Sequence, residues 1–155
     1  MHAVGMKLNL QTDYALRALI FLGSRTDRLS SIREIAETYR ISETHMVKVI
    51  HRLGKGGFIE TLRGRNGGIR LGRLAETIRI GAVVSYMEED MSLLDCLSHK
   101  TCEREGTCIL MPSCRLRGVL SETMQTMMSV LDRYTLADMI TPFECERLIR
   151  NETKD

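Results

Sequence analysis

No stretch of this 155-residue chain reaches the roughly 18 apolar residues that a membrane-spanning helix needs, so no helical membrane segment is expected. Met1 to Gly5 lack the basic start and apolar run of an export signal, and a cytoplasmic protein is expected. The chain has no internal repeat beyond an even cysteine spacing, and no low-complexity segment. Its two prolines, Pro112 and Pro142, each fall where a helix has to stop. A catalytic partner for a reactive thiol is also missing, because His99 is the sole histidine near the cysteines and is better read as solvated. An enzyme is therefore not expected.

What is present begins with charge. The net +2 hides an asymmetry: residues 1–73 carry 13 Lys and Arg against 6 Asp and Glu, while residues 74–155 carry 9 against 14. A front half of +7 and a rear half of −5 suggest a polyanion-binding unit followed by one with a different task. The length suits one domain with a real core, or a small domain with an appended helix.

Periodicity divides the front half. Thr12 to Leu22 reads as a mostly buried helix stopping at Gly23, with Asp13 able to cap it. Ser31-Ile32-Arg33-Glu34 is a capping box opening a short helix that ends near Tyr39. After a tight turn at Arg40-Ile41, Ser42 caps a third helix. There Met46, Val49, Ile50 and Leu53 face inward, while Thr44, His45, Lys48 and Arg52 face out. Phe58–Leu62 and Ile69–Leu71 look like paired strands around a basic, glycine-rich tip, Arg63 to Gly68. A helix-turn-helix with a basic hairpin behind it makes a winged helix. A helix in the major groove presents its N-terminal residues to base edges, so Ser42, Thr44, His45 and Lys48 are candidate DNA contacts. Arg63, Arg65 and Asn66 on the wing join them. His51 reads as packing or surface.

Towards the end of the chain, a fourth helix is expected at about Gly81 to Glu89. Leu116, Leu120, Thr123, Met127, Leu131 and Tyr134 then mark a long amphipathic helix, too apolar on one side to stand alone and suited to pairing with a second copy. Such a homodimer would set two recognition helices roughly 34 Å apart on double-stranded DNA and predicts a palindromic operator. A short helix from Thr135 to Ile140 follows, and the charged tail beyond Glu144 is expected to fray. The expected fold is thus mainly α. Residues 6–80 form the winged helix-turn-helix with its small β-hairpin wing, 81–140 a cysteine loop and a long C-terminal dimerisation helix, and 141–155 a tail.

Between these helices stand Cys96, Cys102, Cys108 and Cys114, with five residues between each neighbouring pair. On a regular helix each step of six would turn the thiol by about 240° and climb about 9 Å, so they can converge only on a loop. Glu103 to Thr107 and Pro112 agree with a loop. Reduced cytoplasmic thiols favour metal over disulfides. The wide spacing suits an iron-sulfur cluster, 2Fe-2S or 4Fe-4S, better than zinc, whose cysteines usually pair two to four residues apart. A metal-free dithiol switch or a small zinc-binding protein remains the different-class alternative. Four cysteine ligands would close the cluster, whereas three with a weaker fourth ligand would leave an iron open to a small molecule. Cys145 stands alone and reads as a small buried hydrophobe.

The segments Met6-Lys7-Leu8, Gln11 to Ile20, His45 to Ile50, Arg63 to Leu71, Ser92 to Cys96, Cys108 to Leu116 and Tyr134 to Met139 closely resemble one group of regulators. These are the NsrR-type, nitric-oxide-sensing repressors, winged-helix proteins whose wider family includes IscR- and RirA-type regulators. The resemblance implies a homodimeric repressor with one iron-sulfur cluster per subunit, held by three cysteines. It would release its operator when nitric oxide nitrosylates the cluster or the cluster is lost. It implies Cys96, Cys108 and Cys114 as ligands, with Cys102 the alternate to Cys96, and Asp13 as a possible ligand from the partner subunit. Two departures stand out: a fourth cysteine, and a start five residues before Met6, which aligns with the usual first residue. Within the same class, an IscR-like or RirA-like regulator of iron or cluster status is the alternative.

Overall fold

A polar residue ahead of the first helix decides where it begins. In the computed structural model, which describes residues 7–98, 108–111 and 113–150, the Asn9 side chain accepts a hydrogen bond from the Thr12 N–H at 2.8 Å and caps α1 (Leu10–Gly23). Asp13, expected to cap this helix, instead accepts from Arg17 Nε at 3.0 Å one turn along. Helix α1 buries Ala15, Ala18, Leu19, Phe21 and Leu22 at the centre of the core. Each large apolar side chain so buried contributes about 1.5–3 kcal/mol.

Both halves of the expected capping box form ahead of α2 (Ile32–Tyr39). Ser31 Oγ accepts from the Glu34 N–H at 3.1 Å, and Glu34 accepts from the Ser31 N–H at 3.2 Å. The chain then turns through Arg40 in the left-handed conformation (φ 54°), and the Ile41 N–H closes onto the Ala36 carbonyl at 2.8 Å. Helix α3 (Glu43–Lys55) follows. Ser42 holds the N-cap position, but its side chain accepts no capping bond, which corrects the expected role of its hydroxyl.

Strands β1 (Ile59–Leu62) and β2 (Gly68–Leu71) pair antiparallel, in register from Ile59 opposite Leu71 to Leu62 opposite Gly68. The segment before α2 adds a further rung, since the Ser30 N–H donates to the Ile69 carbonyl at 3.0 Å and the Ile69 N–H returns at 2.8 Å. This ties β2, near the tip end of the hairpin, to the segment ahead of α2.

Helix α4 (Ile80–Met87) ends two residues earlier than expected, because Glu88 turns away to bond Asn9. A 3-10 turn at Asp95–Leu97 carries Cys96. The long helix α5 (Arg115–Leu131) stops before Tyr134, which was expected on it. The Tyr134 carbonyl instead accepts from the Ile80 N–H at 3.0 Å, holding the chain beside α4. A Cβ on Gly81 would lie 2.0 Å from Asp132 Oδ1, so glycine is what lets α4 approach the end of α5.

The expected short helix after Thr135 is a single 3-10 turn, Ala137–Met139. The tail does not fray where expected: α6 (Pro142–Arg150) starts on its proline, suited to a first helical turn, and Leu148 enters the core. Arg25 fixes it by donating to the Leu148 carbonyl at 3.0 Å. Cys145 is half-buried on this helix rather than buried as expected. Among the described residues no helix is long and apolar enough to cross a membrane.

Candidate DNA interface and cysteine centre

Helix α3 is held by Met46, Val49, Ile50 and Leu53, all buried against α1, α2 and the hairpin. With that face fixed, Ser42, Thr44, His45 and Lys48 are exposed together at its N-terminal end. Val47, His51 and Lys55 extend the same exposed surface. Arg52 does not share it. The outward orientation expected from its helical position is overturned, because its guanidinium donates to the Tyr86 carbonyl at 3.1 Å and is half-buried against α4.

At the hairpin tip Arg63, Arg65 and Asn66 are exposed, and among the described residues neither arginine has an ion pair. Arg70, lower on β2, is neutralised by Glu60 across the sheet at 2.9 Å. Two glycines shape the tip. Gly64 takes φ +117°, a region that L side chains rarely adopt. A Cβ on Gly67 would come 2.3 Å from the Leu62 carbonyl oxygen. The outcome is free positive charge on a tight turn, positioned beside a polar helix face.

The cysteine segment lies at the start of α5. Cys114 takes the N-cap position without a side-chain capping bond. The first turn of α5 has no acidic residue and carries Arg115 and Arg117. Arg117 Nε donates to the Cys96 carbonyl at 3.3 Å, which brings the 3-10 turn to this helix end. Cys108 opens a turn closed by the Met111 N–H onto its carbonyl at 3.2 Å. All three thiols are half-buried and free of disulfides. Soft sulfur donors beside a positive helix end and two guanidinium groups fit an anionic, thiolate-ligated group.

The described residues alone do not complete a metal site, since no three His, Cys, Asp or Glu among them could hold an ion together. Cys102, His99, Glu103 to Thr107 and Pro112 lie outside the described residues, as does Met6. Asp13 is not gathered with the thiols within one chain. Its side chain is 42% exposed on α1 beside Arg17.

Contacts missed by sequence reasoning tie the end of α4 to α3 and to the cap of α1. Tyr86 Oη donates to the Arg52 carbonyl at 2.9 Å. Glu88 accepts from the Asn9 backbone N–H at 2.8 Å and from its side chain at 3.0 Å. Partners 34 and 79 residues apart leave no local periodic signal.

A family model described as Rrf2, iron-dependent transcriptional regulator, matches residues 8–142. The chain is 48% identical over 137 residues to the HTH-type transcriptional regulator NsrR of Halalkalibacterium halodurans, covering 88% of this chain and 91% of the relative. It is likewise 48% identical over 136 residues to the protein of that name from Bacillus subtilis, covering 87% and 90%. Among solved structures, IscR of T. potens superposes with a TM-score of 0.69 at 24% identity, over 90% of this chain and 89% of that one, a likeness of fold.

Proposed function

The chain belongs to the Rrf2 family of transcriptional regulators, and from that premise we propose that it is a homodimeric repressor that senses nitric oxide through an iron-sulfur cluster. Cys96, Cys108 and Cys114 would hold the cluster, with Asp13 of the partner subunit as a further ligand. When bound, the cluster supplies iron reactive toward nitric oxide. Ser42, Thr44, His45 and Lys48 enter the major groove of a palindromic operator, while Arg63, Arg65 and Asn66 engage the adjacent backbone or minor groove.

One observation carries this reading: Cys114 takes the N-cap of the acid-free, arginine-bearing start of α5 and Arg117 holds the turn of Cys96 to it, in the same chain as an exposed recognition face and an unpaired basic wing. Helix α5 also supports the dimer. It buries no residue fully within one chain, and Leu116 and Val119 are 58% and 52% exposed along it. Apolar surface of this kind on a long helix suits a second copy.

Titration of the oxygen-free, cluster-bearing protein with nitric oxide, followed by operator binding, tests the proposal. Release of DNA in step with nitric oxide is the expected result. Release that follows only iron chelation would favour a regulator of iron status, the reading to which the family's iron-dependent description points. Protein that stays bare of iron and sulfide after reconstitution, or that holds zinc instead, would defeat both.

A further inference from the structure

Three residues at the end of α4, from which the chain runs on to the cysteine segment, make long-range polar contacts to α3 and to the cap of α1. Tyr86 Oη donates to the Arg52 carbonyl at 2.9 Å, and Arg52 Nη2 donates back to the Tyr86 carbonyl at 3.1 Å. The Arg52 guanidinium also lies 5.9 Å from the centre of the Tyr86 ring. The Met87 carbonyl accepts from Asn9 Nδ2 at 3.1 Å, and Glu88 holds Asn9 from the other side. Two residues further, Asp90 accepts from the Ser92 N–H at 2.8 Å and from Ser98 Oγ at 2.5 Å. Ser98 lies two residues past Cys96. Between Tyr86, which is bonded to the recognition helix, and Cys96 lie nine residues of chain, folded back on themselves by the Asp90–Ser98 bond.

The reciprocal form of the Arg52–Tyr86 pair matters. Each side chain bonds the other residue's main-chain carbonyl, so the two hydrogen bonds together fix both the separation and the rotation of α3 against α4, where one bond alone would allow a pivot. The Arg52 carbonyl also accepts from the Gly56 N–H at 3.1 Å, so the tyrosine takes a remaining lone pair at the C-terminal end of α3. The Tyr86 ring reaches the root of the hairpin as well, with its centroid 5.5 Å from that of Phe58. A displacement of Tyr86 would therefore act on the recognition helix and the wing together.

We propose that the Arg52–Tyr86 clasp is the joint through which the cysteine segment sets the position of the recognition helix and wing, Tyr86 and Arg52 being positioning residues and not DNA contacts. The proposal rests on the cluster reading above. Its test is Tyr86→Phe, which keeps the ring against Phe58 and removes only the hydroxyl's bond.

Operator affinity is measured without oxygen for the cluster-bearing and cluster-free forms of wild type and variant, with cluster absorbance recorded for each. The expected result is unchanged absorbance, together with a cluster-bearing to cluster-free affinity ratio reduced by about fivefold, the scale of one hydrogen bond. Arg52→Lys, whose compact ammonium lacks the guanidinium fork, should shift the ratio in the same direction. A wild-type ratio in Tyr86→Phe, or equal loss of affinity in both forms, would overturn the joint. Equal affinities of the two wild-type forms would instead sink the cluster reading, and the joint with it.

Discussion

Arg65 stands on a turn that leaves its charge unpaired among the described residues, so its removal should be felt in binding and hardly in folding. Arg65→Ala is expected to weaken operator affinity several-fold and to lower the salt dependence by about one unit of slope, the signature of one lost phosphate contact. Cluster absorbance should stay as in wild type; an unchanged gel shift would remove Arg65 from the interface. Two glycines contrast sharply. Gly67→Ala forces a methyl to 2.3 Å from one backbone carbonyl oxygen and 2.9 Å from another, so the tip must be rebuilt at a cost of about 1–3 kcal/mol. Gly118→Ala on α5 meets nothing within 4 Å and should stabilise the helix by about 0.5–1 kcal/mol. Thermal melts of the two variants should move in opposite directions.

At the level of elements, local chemistry made the helix-turn-helix legible. Ser31 and Glu34 signal the start of α2 within four residues, and Met46, Val49, Ile50 and Leu53 mark the buried stripe of α3. Where the deciding partner was remote, the reading failed. The start of α1 depends on Asn9, held by Glu88, and α6 persists because Leu148 has a place in the core. The cysteines were legible as residue types on a connector, but the tie from Arg117 to Cys96 and the place of Cys114 at the cap of α5 were not. The capping box also predicts a response to acid. Burial acts to raise the Glu34 carboxyl, but hydrogen bonds from Arg28 and Ser31 and the charges of Arg28 and Arg25 outweigh it, leaving it below the ordinary 4.5. A carboxyl depressed on folding stabilises the fold in full above its unfolded value and loses that contribution as pH falls through the folded one. Wild type should therefore lose thermal stability below about pH 4.5, while Glu34→Gln, less stable at neutral pH, should lose less over the same range.

For the whole molecule, the charge division read from the sequence corresponds to different surfaces: basic tip and polar helix face in the first half of the chain, thiols and a long, poorly covered helix in the second. The amphipathic stripe named from periodicity mixes two environments on α5. Leu120, Met127 and Leu131 are half-buried within the chain, whereas Leu116, and Val119 beside the stripe, are more than half exposed. Periodicity reports that a helix has an apolar side but not whether its own chain or another covers it. Changing Leu116 and Val119 together to Asp should convert a dimer to monomers in sedimentation and reduce operator affinity far more than substitution of a single wing arginine. Dimeric behaviour of that double variant would place the subunit contact elsewhere.

The Ser30–Ile69 bridge has a consequence for the DNA that this protein can accept. Because β2 is stitched at Ile69, one rung below the tip, to the segment ahead of α2, the gap between the tip and α3 works as a fixed gauge. A base pair inserted within a half-site, between the major-groove step and the flanking step reached by the tip, displaces one from the other by about 3.4 Å. The protein has no slack there to follow it. Selection from randomised oligonucleotides should accordingly return half-sites of a single length, even where individual bases vary.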